Sequence, residues 1–535
     1  MAALVQSSEE VVAAGEPRAR AAKSLLSAAP TLVILAIAVA DCGRVADTDL
    51  WGHLVFGRML WHQGPHLGPD PFSYAPHYAH WLHHEWLSEV LMARIYASSG
   101  VVGLKLWKLA CTAVTIGLIA TAEGESEGSI GLQFAILIVA AFAMVPFVQF
   151  RPLILSYAFT AATVALITRD NYGKRSPLWL FIPGLALWSN LHGSFFIGLT
   201  LLGTYTVVRG FTDLIACGSA RRLVRLSAIT LGSAVASLAT PYGIDSWRAV
   251  FISLRNPMTR EVMADWRPLL TVLGEQMRET HGGSVFLLCA VGVFALFTIV
   301  TLLTLCADDL ALVAIAALLS ISALMAVRNV PLALVAVTPV LVRHLRLLFQ
   351  DGIGWRAQAQ ATTTEPTHPG WFVQMVFGGL AVIILARTGL IGSRMTTAKN
   401  YPDGAVAFMQ EHHLRGNILN NFAWGQYLIW HSSKDSKIFI DGRFDLVYPP
   451  ELIREYMAFF DAKLGSARTL DRYPHDFVLL PPQSAANQTM ASRHDWKLVY
   501  QDSTARLYTR ASSPLPAIQA ETNTASGAGI PNIFP

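Results

Sequence analysis

Asp47-Thr48-Asp49-Leu50-Trp51-Gly52-His53 stands directly after the first long apolar run of the chain and opens a loop, residues 44–100, of different chemistry. Asp70, His80, Trp81, His83, His84, Glu85, Trp86 and Glu89 all fall within it. Most of the remaining sequence is apolar. Chemistry that needs acids, bases or metal ligands therefore has few other places to occur.

Of the 535 residues, 53% are hydrophobic and 14% are charged, against roughly 25% charged in soluble domains. With a mean hydropathy of +0.42, this is the balance of a polytopic membrane protein. The net charge of +4 is spread over many short connections, so nucleic acid is not an expected partner. The five cysteines lie in or beside apolar runs without paired spacing, which fits packing residues better than a disulfide framework or a cysteine zinc site.

A membrane span needs about 20 mostly apolar residues. Segments meeting that requirement are 26–43, 104–121, 130–149, 152–168, 177–191, 193–212, 226–241, 284–305, 310–327, 330–347 and 371–391, about eleven in all. The expected fold is thus an all-α polytopic membrane domain over 26–391, preceded by a short tail over 1–25. Arg18, Arg20 and Lys23 precede the first span, and no small-residue cleavage site follows it, so an uncleaved anchor with a cytoplasmic N-terminus is expected. With the N-terminus inside, the basic connections 169–176, 213–225 and 348–370 become cytoplasmic, as the positive-inside rule requires. Asp47, Asp49, His84, Glu85, Arg151, Asn190, His192, Asp265, Arg328 and Asn329 then all lie on the outer side, together with the outer loop 242–283 and the C-terminal tail. A multi-pass protein of the plasma (inner) membrane with its function on the outer face is expected.

From Thr396 the composition changes. Helical patterns at 402–412 and 450–463 alternate with short strand patterns at 417–419, 438–440, 477–480, 497–500 and 506–508, which predicts a small extracytoplasmic α/β domain over 396–510. Residues 511–535 are rich in Pro, Ala, Ser and Thr and are expected to be disordered. Asp441-Gly442-Arg443 ends a strand, where it can contact a ligand or form a turn held by an Asp–Arg pair.

Two carboxylates spaced as Asp47-x-Asp49 can share a divalent cation, or one can take a proton from a nucleophile that the other holds. Asp47 can equally cap a helix starting near Leu50. His84-Glu85-Trp86-Leu87-Ser88 begins like a zincin helix, but Ser88 stands where the second metal ligand belongs. A density of His and Trp such as 80–89 also suits a helix lying flat at the interface, with Trp81, Leu82 and Trp86 toward lipid and His84, Glu85 and Glu89 toward a site. Arg151, Asn190-Leu191-His192-Gly193 and Arg328-Asn329 sit at the outer mouths of three helical hairpins. Cations there suit a lipid phosphate, or merely snorkel to the interface.

Asp49-Leu50-Trp51-Gly52-His53-Leu54, following an N-terminal span and opening a long outer loop, resembles the GT-C class of membrane glycosyltransferases, which includes oligosaccharyltransferase catalytic subunits and protein O-mannosyltransferases. The layout is similar along the whole chain, whereas motif-level similarity is confined to the head of the first outer loop. The resemblance implies a polyprenyl-phosphate-linked sugar donor and transfer to a glycan, lipid or protein acceptor on the outer face. It makes Asp49 the catalytic base or metal-holding carboxylate, Asp47 the runner-up, and Glu85 and His84 further catalytic candidates. Arg151, Arg328, His192 and Asn190 become candidates for the donor phosphate, and Asp47 with Asp49 for a divalent ion such as Mg or Mn. Two departures stand out: no second Asp-x-Asp follows in a later outer loop, and the tail lacks the Trp-Trp-Asp acceptor motif of oligosaccharyltransferases. Transfer of a single sugar to a lipid or polysaccharide is therefore expected over protein N-glycosylation. The alternatives are a transporter or flippase for a lipid-linked glycan, which the scarcity of ionisable groups at mid-membrane disfavours, and a non-catalytic membrane assembly protein.

Overall fold

A computed structural model describes residues 46–65, 68–78, 81–122, 130–279, 284–352, 395–397, 401–463, 467–517 and 534. The expected N-terminal tail, the spans 26–43 and 371–391, and His80 lie outside them. The helical part comprises α1 (Leu50–Gln63), α2 (Trp86–Ala122), α3 (Ile130–Met144), α4 (Leu153–Asn171), α5 (Phe181–Leu191), α6 (Phe195–Cys217) and α7 (Arg221–Ala236). It continues through α8 (Asp245–Arg255), α9 (Pro257–Val262), α10 (Leu269–Glu279), α11 (Val285–Thr304), α12 (Leu310–Met325) and α13 (Val330–Gly352).

Nine of the expected spans fall on described residues, and each coincides with a helix. Only six helices there are long and apolar enough to cross a membrane: α2, α4, α6, α11, α12 and α13. The spans expected over 130–149, 177–191 and 226–241 are shorter helices of 15, 11 and 16 residues. A 3-10 turn containing Pro146 ends the first of these, and another 3-10 turn, Leu178–Leu180, precedes the second. Of the nine expected spans on described residues, six are therefore long and apolar enough to cross. α13 is apolar on every side because it is buried on every side: Leu332 to Val337 are at most 1% exposed. α11, by contrast, leaves Ile299, Leu302 and Leu303 largely uncovered, as a lipid-facing helix does.

α2 is two helices joined at Gly100, whose φ of 58° and ψ of −149° suit a residue without Cβ. Its second half matches the expected span 104–121. Ahead of Trp86, residues 81–83 have no regular structure, and Trp81 is 3% exposed. The interfacial helix with Trp81 toward lipid is thus not found. The reason is an arginine: Arg443 stacks over the Trp81 ring at 4.4 Å and draws it into the interior.

The C-terminal part holds a five-stranded sheet built from β1 (Asn417–Asn420), β2 (Lys437–Ile438), β3 (Phe477–Leu480), β4 (Trp496–Gln501) and β5 (Arg506–Arg510), in the order β2-β1-β3-β5-β4. β2, β1 and β3 are parallel; β5 is antiparallel to both β3 and β4. All four residues of β3 are buried, so its continuous apolar run reflects cover on both faces. That cover includes α14 (Asp403–Glu411), α15 (Gly425–His431), α16 (Pro450–Phe460), α17 (Arg468–Arg472) and α18 (Ala486–Ala491).

The first loop and this domain are one body. Ser73 bridges Ile438 in parallel, Ile438 N–H donates to Phe72 O at 3.1 Å, and Tyr74 N–H donates to Ile438 O at 3.1 Å, so the loop extends the sheet beyond β2. α1 lies against α15, and Trp51, 1% exposed, inserts edge-on between Tyr401 and Tyr427 at 4.7 and 5.4 Å. A Cβ on Gly52 would stand 2.1 Å from Gln426 Oε1, so only glycine allows that approach. Phe534 joins the Trp51 nest at 1% exposure, and Leu515 packs on the same cluster, so the disorder expected over 511–535 does not hold at those positions.

Candidate functional site

Asp47 and Asp49 stand at the start of α1, and Arg151 stands just before α4. Arg151 Nε donates to Asp47 Oδ1 at 2.7 Å, its Nη2 lies 3.0 Å from Asp49 Oδ2, and its Nη1 lies 3.7 Å from Asp265 Oδ2. One guanidinium thus draws together three carboxylates from two separate connections. Arg151, placed among phosphate contacts by its charge, is committed to these carboxylates. Their field, winning over burial, holds it firmly protonated.

The two aspartates differ in use. Asp47 Oδ1 also accepts the Asp49 N–H at 2.9 Å, a side-chain turn ahead of α1; the N-cap position belongs to Asp49, so Asp47 does not cap the helix. Asp49 caps nothing with its side chain. Burial pushes its carboxyl above the usual range, Arg151 opposes this, and Asp47 adds to the upward push. The Asp441-Gly442-Arg443 turn lies directly beside it, since a Cβ on Gly442 would be 2.7 Å from Asp49 Oδ1.

One helical turn on from Asp49, His53 begins a second cluster. His53 Nδ1 is 3.0 Å from Glu89 Oε1 and 4.0 Å from Glu85 Oε2; His83 Nδ1 is 3.0 Å from Glu89 Oε2. Glu85 Oε1 is in turn 2.9 Å from His192 Nε2 and 3.4 Å from His84 Nε2. Ser194 N–H donates to His192 Nδ1 at 2.9 Å, which leaves Nε2 to carry the proton toward Glu85. Burial holds His192 below the usual histidine range, and His83 likewise. For His53, burial is outweighed by the Glu89 hydrogen bond and by the charges of Glu89, Glu85 and Asp49, which raise it to about 9. Burial of Glu85 is similarly overcome by His84 and His192, which keep its carboxyl well below the ordinary range. His84 is raised, burial being outweighed by Glu85.

Glu85 and His84, read as further catalytic candidates, and His192, read as a phosphate contact, lie together in one cluster of titratable groups. Asn190 does not face them as a free polar group: its amide donates to Ala186 O and Ala239 O at 2.7 and 2.8 Å, and its Oδ1 accepts from Trp86 Nε1 at 2.9 Å. Arg328 lies over the Trp266 ring at 4.5 Å, next to Asp265, and no ion-pair partner is found for it among the described residues. Sequence reading turned Glu89 toward a site without giving it a role, and left out His53 and Asp265 as site residues. Asp49 with His53, and Glu85 with Glu89, are both i,i+4 pairs on one helix face, a signal that was legible.

Among the described residues one group of three donors lies close enough to hold a metal ion, beside the aspartate pair that the sequence suggested for that task. Asp47 and Asp49 offer hard oxygen ligands of the kind Mg or Mn prefers, their charge now balanced by Arg151. His53, Glu85 and Glu89 place one ligand atom each within 4.8 Å of one another, a nitrogen–oxygen set closer to what zinc takes.

Fold and site together define a multi-pass membrane protein whose loops and sheet domain gather acids, histidines and arginines at one end of a helical bundle. Comparison with solved structures places that architecture. The chain is similar to the oligosaccharyltransferase of Archaeoglobus fulgidus in its apo form, with a TM-score of 0.52, 12% identity, and 91% of this chain and 75% of that chain covered. It is similar also to the same organism's oligosaccharyltransferase AglB in complex with an inhibitory peptide and a dolichol-phosphate, with a TM-score of 0.51, 12% identity, and the same 91% and 75% covered. The form tethered to an acceptor peptide containing the NVT sequon gives 0.51 at 11% identity, covering 84% and 68%. No protein family and no curated protein matches the chain in sequence. The chain has the oligosaccharyltransferase fold, the fold expected from the GT-C resemblance.

Proposed function

We propose that the protein is a GT-C-type membrane glycosyltransferase that moves a sugar from a polyprenyl-phosphate-linked donor to an acceptor on the outer face of the plasma (inner) membrane. In this reading the N-terminus is cytoplasmic and the sheet domain extracytoplasmic. The observation that carries it is the meeting of Asp47, Asp49 and Arg151 at the head of α1, within a fold shared with a membrane oligosaccharyltransferase.

Asp49 is the general base. Of the two aspartates it has the freer side chain and the raised carboxyl pKa, which makes it the better proton acceptor. It takes the proton of an acceptor hydroxyl; the acceptor oxygen bonds to the anomeric carbon; and the bond from that carbon to the phosphate oxygen breaks, its electron pair leaving with the phosphate. Arg328, stacked on Trp266 and without an ion-pair partner among the described residues, is the cation that receives the phosphate. Arg151 holds the carboxylates in place, with Asp47 as its anchor. His84, Glu85 and His192 form the flank of the site. A divalent ion such as Mg or Mn, if held by Asp47 and Asp49, would make Asp49 a metal-holding carboxylate in place of the base and would supply positive charge for the leaving phosphate. The acceptor is a lipid or polysaccharide in preference to a protein, for want of the Trp-Trp-Asp motif.

Asp49→Asn tests the reading. Membranes carrying the variant at wild-type abundance, supplied with a panel of labelled polyprenyl-phosphate and -diphosphate sugars, should lose transfer by at least about 100-fold, the usual contribution of a general base. Full transfer by Asp49→Asn would refute it.

A further inference from the structure

At the other end of α4 lies a feature that glycosyl transfer does not use. α4 has 19 residues between Arg151 and Tyr172, which at 1.5 Å per residue is about 28 Å, one hydrocarbon thickness. There the connection after α4 and the first turn of α7 border an open basin of about 640 Å³, lined by Asp170, Lys174, Arg175, Arg221, Arg222 and Arg225 with Gly173 and Ser176. Five cationic side chains face a single carboxylate. That carboxylate is buried and fully engaged: Asp170 accepts from Arg222 and Arg225 at 2.6 Å each and from Tyr205 OH at 2.8 Å. Arg222 also reaches Asp213 at 2.9 Å. The floor of the basin is thus a fixed ionic lattice, and its rim is different. Lys174, Arg175 and Arg221 are exposed, with no ion-pair partner among the described residues. The first turn of α7 has no side-chain cap on its N–H groups and adds the positive end of a helix dipole.

The positive-inside rule accounts for basic residues in these connections. It does not account for their convergence, from positions some fifty residues apart, around one cavity on a rigid floor. The surroundings say what kind of anion fits. Trp179 and Leu180 beside α5, and Val224 and Leu231 on α7, are 61%, 39%, 64% and 67% exposed. α5 and α7 pack together there, with Ile182 against Gly232. An apolar wall suited to acyl chains therefore rises from the edge of a basic cup, with a tryptophan at the level where headgroups lie.

We propose that this basin binds the phosphate headgroup of an anionic phospholipid in the leaflet opposite the glycosyl-transfer site. Arg175 and Arg221 present forks to the phosphate diester, Lys174 adds a point charge, and Trp179 with Val224 seat the chains.

The test uses the full-length protein purified in mild detergent and exchanged against equimolar phosphatidylglycerol and phosphatidylcholine, with retained lipid counted by native mass spectrometry. Wild type should retain phosphatidylglycerol in preference. Lys174→Gln/Arg175→Gln/Arg221→Gln should lower that preference on the order of 100-fold, by the usual contribution of three basic residues near an anionic lipid. Arg255→Gln/Arg278→Gln, which removes exposed cations elsewhere, should keep it. Equal retention of the two lipids by wild type, or an unchanged preference in the triple variant, would overturn the proposal. Displacement of phosphatidylglycerol by millimolar inorganic phosphate, but not by chloride at equal ionic strength, would assign the basin to a soluble phosphate compound and overturn the lipid.

Discussion

Replacing Arg443 by methionine probes the joint between the first loop and the sheet domain. Arg443 is 9% exposed, and both its partners are buried, Asp70 at 4% and Asp441 at 0%. It donates to Asp70 through Nη1 and Nη2 at 2.7 and 2.9 Å, and to Asp441 through Nε at 2.9 and 3.0 Å. The Phe56 and Trp81 rings pack on its guanidinium at 4.9 and 4.4 Å. Methionine fills much of the volume but leaves two carboxylates facing each other without a cation. Breaking a buried pair from one side costs about 3–5 kcal/mol, here with two carboxylates stranded. Burial would raise the Asp70 carboxyl, and the Arg443 charge is the largest influence that instead holds it below the usual range. Arg443→Met should therefore lower the thermal midpoint of the detergent-solubilised protein by roughly 10 °C or more, and should open the 64–80 loop to limited proteolysis. Asp70→Asn/Asp441→Asn/Arg443→Met, which neutralises all three, should regain most of the loss, because a buried ionic triad replaced as a unit is often close to neutral. A single variant that melts with wild type would refute the reasoning. So would a triple variant no better than the single one, which would assign the loss to ring packing instead of charge.

His475 gives a pH dependence at the same joint. Tyr74 OH donates to its Nδ1 at 2.5 Å while its Nε2–H donates to Thr469 O, and burial holds it at about 4. The unfolded chain takes up that proton near pH 6.5 and the folded one near 4, so stability should fall as pH drops through this window, by up to about 3 kcal/mol. A pH series of melts should show the slope, and His475→Asn should flatten it. Gly442→Ala places a methyl against Asp49 Oδ1; transfer should fall more than about tenfold while the melting midpoint changes little, since misplacing a reacting group is costly in rate. Arg328→Ala should raise KM for the lipid-linked donor about 10–100-fold, the worth of a charged hydrogen bond, with folding intact by circular dichroism. Trp51→Ala should cost about 3–5 kcal/mol, as large core truncations do, read by thermal melting.

The helical bundle was legible because its signal is additive: a run such as 330–347 is apolar at nearly every position, and α13 is buried on every side. Short strands were legible for a related reason, since Phe477-Val478-Leu479-Leu480 is a run too apolar for any surface, and β3 is its result. Length was harder to read than hydropathy. Residues 177–191 are apolar enough to suggest a span, but a 3-10 turn takes up the first of them and leaves an 11-residue helix. The convergence of Asp47, Asp49 and Arg151 was half legible, because topology could set them on one side while only the fold could set them 3 Å apart. Pairings such as Arg443 with Asp70, separated by 373 residues, leave no periodic trace. Trp81 was misread for that reason: its partner is an arginine that no local pattern brings near.

α1 shows what the sheet domain contributes to the proposed site. The carboxylate that would accept the proton sits at the end of a 14-residue helix that does not span the membrane, and an isolated helix of that length is marginal in water. Productive chemistry needs side chains held to within about half an ångström. The helix is therefore fixed from three sides. Arg151 of the bundle holds its first turn through Asp47 and Asp49. Glu89 on α2 holds His53 one turn further on, and Gly57 lies against the Glu89 backbone. The sheet domain holds the remaining face through Trp51 in its aromatic nest and Gly52 on Gln426. Bundle and domain both touch the same two turns of helix, so a change in either one is felt at Asp49. Substitutions at Trp51 or Arg443 should on this account lower transfer along with stability, whereas loss of a charge on the exposed face of α16, as in Glu451→Gln, should lower neither.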